Sequence, residues 1–370
     1  MRAPNEIDFW RGFALVTIFV NHIPGIFLEH FTYRNLSLSD SAELFVFLAG
    51  WSLRMQVDRA VTLPMWVFML RLAGRAMQVY FAQLVITEIA VAFLAAASIY
   101  FGASFLLDWH NASAIFRNPV EAHIGLVLLT HQLGYFNILP LYVVLVASAP
   151  FIALCARYAA PALLPLSAAL YVVTLSTGIN LPSWPQGGTW FLDPMAWQFI
   201  YILGFLIGGK DGIGGLARRH RRILGLVALP IIGLGVVVGL THFAPRPADV
   251  PSPKLFFVFD KTFLSPARFI HLLALVAVFA GNFHFVMRWF AVGARFFSLL
   301  GRNSLYVFCV ASLLSLAGQI FRFAYGGALI TDAIIASVGL VIMGIVAWLS
   351  ERRDVGRKAA AGPVRASPTS

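Results

Sequence analysis

The chain has 370 residues, of which 59% are hydrophobic and 12% charged, with a formal net charge of +11. Soluble domains carry about 25% charged residues, so this composition excludes a soluble globular protein and describes a polytopic membrane protein. The excess of positive charge does not point to nucleic acid: the basic residues sit in short loops between apolar runs and in the tail, where they set membrane orientation.

A membrane crossing needs about 20 mostly apolar residues. The sequence predicts an all-α fold of about ten spans, at residues 9–28, 41–58, 77–101, 137–157, 161–179, 194–209, 223–243, 267–287, 297–320 and 328–349. With both termini cytoplasmic, 20 of the 27 Lys and Arg fall inside and 7 outside, the bias that orientation requires. The first apolar run reads as a retained anchor, with no cleavable leader pattern. Residues 1–350 form one transmembrane domain, and 351–370 a basic tail expected to be disordered in the cytoplasm. Cys155 and Cys309 lie in apolar runs, so no disulfide framework is expected.

The first span, DFWRGFALVTIFVNHIP, carries Arg11 and His22. Eleven residues of helix rise about 16.5 Å and return to within roughly 20° of the starting direction. The two side chains therefore share a face at two depths. A charge inside a span is costly unless it meets protein or water, so this face should line an interior. Asp8 can pair with Arg11 one turn away, Asn21 adjoins His22, and Pro24 can end the helix. Snorkelling of Arg11 to the headgroups is the alternative.

In the second span, SDSAELFVFLAGW, Asp40 and Glu43 sit at the outer end. A hairpin would bring them near His22, where a carboxylate orients an imidazole as a general base. Asp-x-x-Glu also fits a capping box, and both roles can hold together. Arg71 and Arg75 share a helix face on the cytoplasmic side. With Arg11 they either form a basic mouth for a phosphate-bearing donor or serve as ordinary anchors.

Residues 102–136 are partly apolar but broken by Asp108, His110, Arg117, Glu121, His123 and His131, and read as an outer-face helix, dipping into the bilayer only beside protein. Residues 179–193 form a Pro-, Gly- and Trp-rich outer loop whose tryptophans either belong to the interfacial belt or stack on sugar rings. Residues 244–266 form a further outer loop. Arg268 and His271, Gln198, and Asn303 with Ser304 are polar groups in spans that can serve a site or join helices. No metal-ligand spacing, P-loop, GxGxxG or GxSxG is found, and no internal repeat of the kind many transporters show.

Arg11 and His22 resemble the Arg-x10-His signature of the membrane acyltransferase-3 superfamily. SAELFVFLAGW and LRLAGRAMQVY resemble its second span and the basic start of its third. The blocks IDFWRGFALVTIFVNHIPG, SDSAELFVFLAG, ILPLYVVLVASAP, LDPMAWQFIYILGFLIG and LLGRNSLYVFC resemble the OpgC branch, over residues 6–349. The resemblance implies a bacterial inner-membrane enzyme that passes an acyl group, typically succinyl from succinyl-CoA, to a hydroxyl of a periplasmic glucan. No bound cofactor is implied; acyl-CoA and the glucan are substrates, and the bilayer is the solvent. His22 would be the base, Asp40 or Glu43 its orienting acid, and Arg11, Arg71 and Arg75 the donor site. The sequence departs from the superfamily at Leu139-Pro140-Leu141-Tyr142, where an acid is common. A proton-coupled transporter using His22 and Glu43 is the competing expectation, and a glycan-binding scaffold the third.

Overall fold

A computed structural model describes residues 3–360, with side chains as far as Arg353. Among the described residues the fold is all-helical, apart from one isolated bridge between Pro182 and Thr189. The long helices are α1 (Glu6–Asn21), α2 (Ser41–Arg59), α3 (Met65–Phe101), α4 (Ile138–Tyr158), α5 (Ala160–Thr177), α6 (Pro194–Gly208), α7 (Arg221–Thr241), α8 (Pro266–Phe279), α9 (Ala291–Arg302), α10 (Ser304–Tyr325) and α11 (Leu329–Ala360).

Six of these, α3, α4, α5, α7, α10 and α11, are long and apolar enough to cross a membrane. The total reaches eight if two bent pairs count as spans: α6 with Gly212–Arg219, bent by 68°, and α8 with Phe283–Trp289, bent by 61°. The other two expected spans fall short individually. α1 has only 16 residues, and α2 carries Glu43, Arg54, Asp58 and Arg59. Both are packed inside the bundle, which is how such helices can lie at membrane depth. α3, α7 and α11 instead turn rows of large apolar side chains outward, including Phe81, Val85, Ile89, Leu226, Val237, Val338 and Val341. In water such a surface would be a liability; it identifies a multi-pass membrane protein.

Several boundaries differ from those expected. The first run stops at Asn21, because Pro24 lacks an N–H and Gly25 takes φ +76. The ninth run is split at Asn303 into α9 and α10. α11 continues to Ala360, past the boundary expected at residue 350, and 361–370 lie outside the described residues.

α1 starts well because Asn5 caps it, its Oδ1 accepting from the Asp8 N–H at 2.9 Å. α1 and α2 are held against their neighbours by close backbone approach. A Cβ on Gly12 would lie 1.9 Å from the Phe297 carbonyl oxygen of α9, and one on Gly204 of α6 would lie 2.0 Å from the Phe47 carbonyl of α2. Small residues at such crossings let apolar helices pack without a hydrophobic drive between them.

Candidate functional site

The segments predicted as outer loops gather at one end of the bundle and enclose a cavity of about 900 Å³. His22, Arg34 and Asp40 line it from the first connection, Asn111 and Tyr135 from the second, and Gln186 and Phe191 from the third. Phe243, Phe259 and Lys261 come from the fourth. Hydroxyl, amide, imidazole and charged side chains together outnumber the apolar ones in the lining, with a few aromatic faces among them, a surface better matched to a polar ligand than to lipid tails.

His22 is the C-terminal cap of α1, its N–H donating to the Ile18 carbonyl at 3.0 Å. Its Nδ1 is buried without a hydrogen-bond partner, and its ring packs tilted against Tyr135 with the centroids 4.8 Å apart. Gln319 of α10 donates from Nε2 to the His22 carbonyl at 2.6 Å. The Oε1 of the same amide accepts from His110 Nε2 at 2.7 Å, so those two bonds fix the His110 tautomer. The His110 ring in turn packs at 5.2 Å on Tyr135. Burial pushes the His110 pKa down, opposed by the Gln319 bond. His110, Asn111, Tyr135 and His242 all carry positive φ, at 56°, 65°, 64° and 50°. Non-glycine residues held there are strained, and such strain clusters at functional sites.

Asp40 and Glu43 do form the capping box of α2. Their remaining charge goes elsewhere than expected. Lys261 Nζ lies 2.5 Å from Asp40 Oδ2, and Arg268 NH2 lies 2.5 Å from Glu43 Oε1 and 3.7 Å from Asp40 Oδ2. Burial alone would raise the Asp40 pKa, but Lys261 and Arg268 hold its carboxyl well below the usual range. Among the described residues no hydrogen bond joins either carboxylate to His22, whose ring packs on Tyr135 and stands within electrostatic reach of Asp40. Arg268, expected only as a polar group in a span, is thus the partner of both acids. Lys261 is placed by Trp197, whose Nε1 donates at 3.1 Å to the carbonyls of Lys261 and Thr262.

His271 is buried behind the cavity wall, its Nδ1 lying 3.0 Å from Ser39 Oγ. Gly235 of α7 makes room for it, since a Cβ there would sit 2.1 Å from His271 Nε2. Gln198 joins two helices: its Oε1 accepts from Ser167 Oγ at 2.6 Å, and its Nε2 donates to the Ser167 carbonyl at 3.0 Å. Asn303 closes α9, donating from Nδ2 to the Leu299 carbonyl at 3.0 Å. These two are structural groups and do not line the cavity.

At the far end of α1, Arg11 donates to Ser304 Oγ at 2.7 Å and lies 3.8 Å from Asp8. Arg75 donates to Gln78 Oε1 at 2.7 Å, and Gln78 donates to Tyr306 OH at 3.2 Å. Arg353 also reaches Tyr306 OH, at 2.9 Å. The start of α10 therefore collects Arg11 and Arg75 at positions two residues apart, while Arg71 is exposed one turn earlier on α3. Among the described residues no group of His, Cys, Asp or Glu is arranged to hold a metal ion.

Below the polar cavity, an apolar groove of about 510 Å³ runs along α1, α2 and α8, with Phe13, Tyr33, Leu44, Trp51 and Val276 among its walls. The tryptophans of the 179–193 loop do not line the polar cavity. Trp190 is buried, and the cavity is met by Ser183, Gln186, Thr189 and Phe191 instead. The groups that sequence reasoning missed, His110, Tyr135 and Gln319, come from the broken segment 102–136 and from the middle of an apolar span. The dense polar residues of 102–136 were the available signal.

Taken together, the molecule is a multi-pass membrane protein with a polar, strained cavity at one end of its bundle and a basic cluster at the other. The family model described as OpgC protein matches residues 3–355, and the chain belongs to that family. Membership implies a role in modifying osmoregulated periplasmic glucans. Comparison with curated proteins finds no match.

Proposed function

We propose that this protein is a membrane O-acyltransferase that moves an acyl group, succinyl in the first instance, from cytoplasmic acyl-CoA to hydroxyls of a periplasmic glucan. In this reading it belongs to the acyltransferase-3 superfamily. It crosses the bacterial inner membrane about ten times, with α1 and α2 counted as spans inside the bundle and both termini in the cytoplasm. The observation that carries the reading is the placement of His22: an imidazole in the wall of a polar cavity, its buried Nδ1 without a hydrogen-bond partner among the described residues, on the same helix as Arg11.

The glucan hydroxyl oxygen attacks the thioester carbonyl carbon, and a C–O bond forms as the hydroxyl proton passes to His22. The tetrahedral oxyanion then collapses, the C–S bond breaks, and His22 returns the proton to the departing CoA thiolate. A positioned base contributes about 10²–10⁴-fold to such a step. Gln319 holds the His22 main chain and Tyr135 packs against its ring. Asp40 and Glu43 hold Lys261 and Arg268 in the cavity wall. Arg11, Arg71 and Arg75 take the phosphates of the donor, as guanidinium groups do.

The test is acyl transfer by the purified protein in liposomes, given radiolabelled succinyl-CoA and unsubstituted glucan. Label should appear on the glucan as an alkali-labile ester. Passage of intact substrate across the bilayer with no ester formed would favour a transporter instead.

A further inference from the structure

The cavity wall holds three cationic side chains, Arg34, Lys261 and Arg268, against one carboxylate, Asp40. Two of the three are matched. Lys261 Nζ lies 2.5 Å from Asp40 Oδ2, and Arg268 NH2 lies 2.5 Å from Oε1 of Glu43, which is wholly buried outside the lining. Arg34 is left over. Among the described residues its side chain makes no hydrogen bond and no ion pair, and it is exposed.

The main chain that carries Arg34 is nevertheless held on both sides. It lies in the short turn Tyr33–Leu36 between α1 and α2. Ahead of it, Thr32 Oγ1 donates to Asn21 Oδ1 at 2.8 Å, which ties the turn to the residue beside His22. Tyr33 stacks on Phe13 of α1 with the ring centroids 5.8 Å apart, on the groove side. Beyond it, Asn35 Nδ2 donates to the Glu29 carbonyl at 3.0 Å. The Asn35 carbonyl lies against α7, where a Cβ on Gly239 would come within 2.7 Å of its oxygen. The turn is therefore pinned while the Arg34 side chain is left free, and its guanidinium stands within electrostatic reach of the His22 ring.

A neutral sugar and a neutral thioester give this cation no counter-charge. A carboxylate does, because the guanidinium fork matches its two oxygens. In a succinyl thioester the free carboxylate lies two methylenes from the reacting carbonyl, so both ends of the acyl group can meet one wall of the cavity.

We infer that Arg34 binds the free carboxylate of a dicarboxylic acyl donor and thereby selects the acyl group. This rests on the O-acyltransferase reading above and names the donor class. Arg34 forms no covalent bond and moves no proton; it holds the far end of the acyl chain while the thioester carbonyl lies beside His22. A carboxylate on an already substituted glucan has the same chemistry, and the experiment separates the two sources.

Full-length wild type, Arg34→Gln and Arg34→Lys are compared in liposomes given equal concentrations of succinyl-CoA and butyryl-CoA with different radiolabels. The acceptor is unsubstituted glucan in one arm and succinylated glucan in the other. Butyryl has the chain length of succinyl but ends in a methyl group. The readout is the ratio of new succinyl to new butyryl ester, with the thermal transition of each variant alongside. On unsubstituted glucan Arg34→Gln should lower that ratio by about 10–100-fold, the scale of one charge-assisted contact, with butyryl transfer and the transition kept. Arg34→Lys, which retains the charge, should give an intermediate ratio. The assignment is overturned by a wild-type ratio in Arg34→Gln, by an equal fall of both esters, or by loss of the folded protein in both variants. An effect confined to succinylated glucan overturns it too, by placing Arg34 on the acceptor. Those outcomes leave the acyltransferase reading standing. No ester from either donor with wild type would overturn both together.

Discussion

The polar cavity and the apolar groove share four segments, and the change between them takes about one turn on each. On α1, Phe9, Trp10 and Phe13 face the groove, while Ile18, Asn21 and His22 face the cavity. Tyr33 belongs to the groove, Arg34 and Asn35 to the cavity. On α2 the switch lies between Ala42 and Leu44, and on α8 between Arg268 and Leu272. The ion pair of Glu43 with Arg268 sits at this border, and Glu43 is wholly buried. The difference shows how a helical bundle sets a depth for polar chemistry. A span need not be interrupted; it needs a layer where buried charges satisfy each other, with amides and hydroxyls on one side and rings on the other. Glu6, Trp10, Tyr33 and Trp51 are the groove's lining residues with polar side-chain atoms, so it matches an apolar chain better than a pantetheine arm with its two amides.

The comparison breaks most completely at His22. His22→Gln should reduce acyl transfer by about 10²–10⁴-fold while the protein still inserts and elutes as a folded species. Near-wild-type turnover in that variant would falsify the general-base role.

The border layer comes next. Glu43→Ala leaves Arg268 in a buried wall with only the more distant Asp40, and removing one partner of a buried pair costs about 3–5 kcal/mol. The thermal transition of the detergent-solubilised protein should drop steeply, and Glu43→Ala combined with Arg268→Met should recover much of it. Equal transitions for the single and double variants would show that the layer is not held by this pair.

A third prediction separates the outer wall from the helices it caps. Asp193 is fully buried ahead of α6. Its Oδ1 accepts from the Met195 N–H at 3.0 Å, while its Oδ2 has no hydrogen-bond partner. Burial pushes its pKa up to about 6, against the hydrogen bonds to Met195 and Ala196. A carboxyl with a raised folded-state pKa binds more protons folded than unfolded, so its effect is a loss of stability as pH rises from about 4 to about 6. Asp193→Asn keeps the cap without the charge. It should remove that pH dependence and stabilise the protein at pH 7 by up to about 3 kcal/mol. Parallel stability–pH curves for the two proteins would refute it.

The smallest effect belongs to the opposite end. Arg75→Ala should raise the KM for succinyl-CoA by roughly 10-fold, the scale of one charge-assisted phosphate contact, with little change for the glucan. An unchanged donor KM would return Arg75 to plain anchoring.

Much of this was legible in the sequence. Hydropathy located a helix at each of the ten runs, and the eleven-residue spacing of Arg11 and His22 put them at two depths of one helix, which His22 caps. The capping box in Asp-x-x-Glu was also readable, because it depends only on local spacing. What was not readable were partners that depend on tertiary approach. The ion pairs of Asp40 with Lys261 and of Glu43 with Arg268 join residues more than 200 apart in the sequence. Gln319 reads as one polar residue in an apolar run until α10 packs on α1. The expected ninth span ran through the break at Asn303, although Gly301, Arg302, Asn303 and Ser304 interrupt the apolar pattern there.

The length of α3 has a consequence of its own. Its 37 residues extend about 55 Å at 1.5 Å per residue, and a bilayer core is about 30 Å thick. No reasonable tilt contains such a rod. α11, with 32 residues, overshoots in the same way, at about 48 Å. Arg75 near the start of α3 and Arg353 near the end of α11 converge on Tyr306, so both rods project from the same side. Two helices longer than the bilayer is thick thus bring arginines together at one end of the bundle.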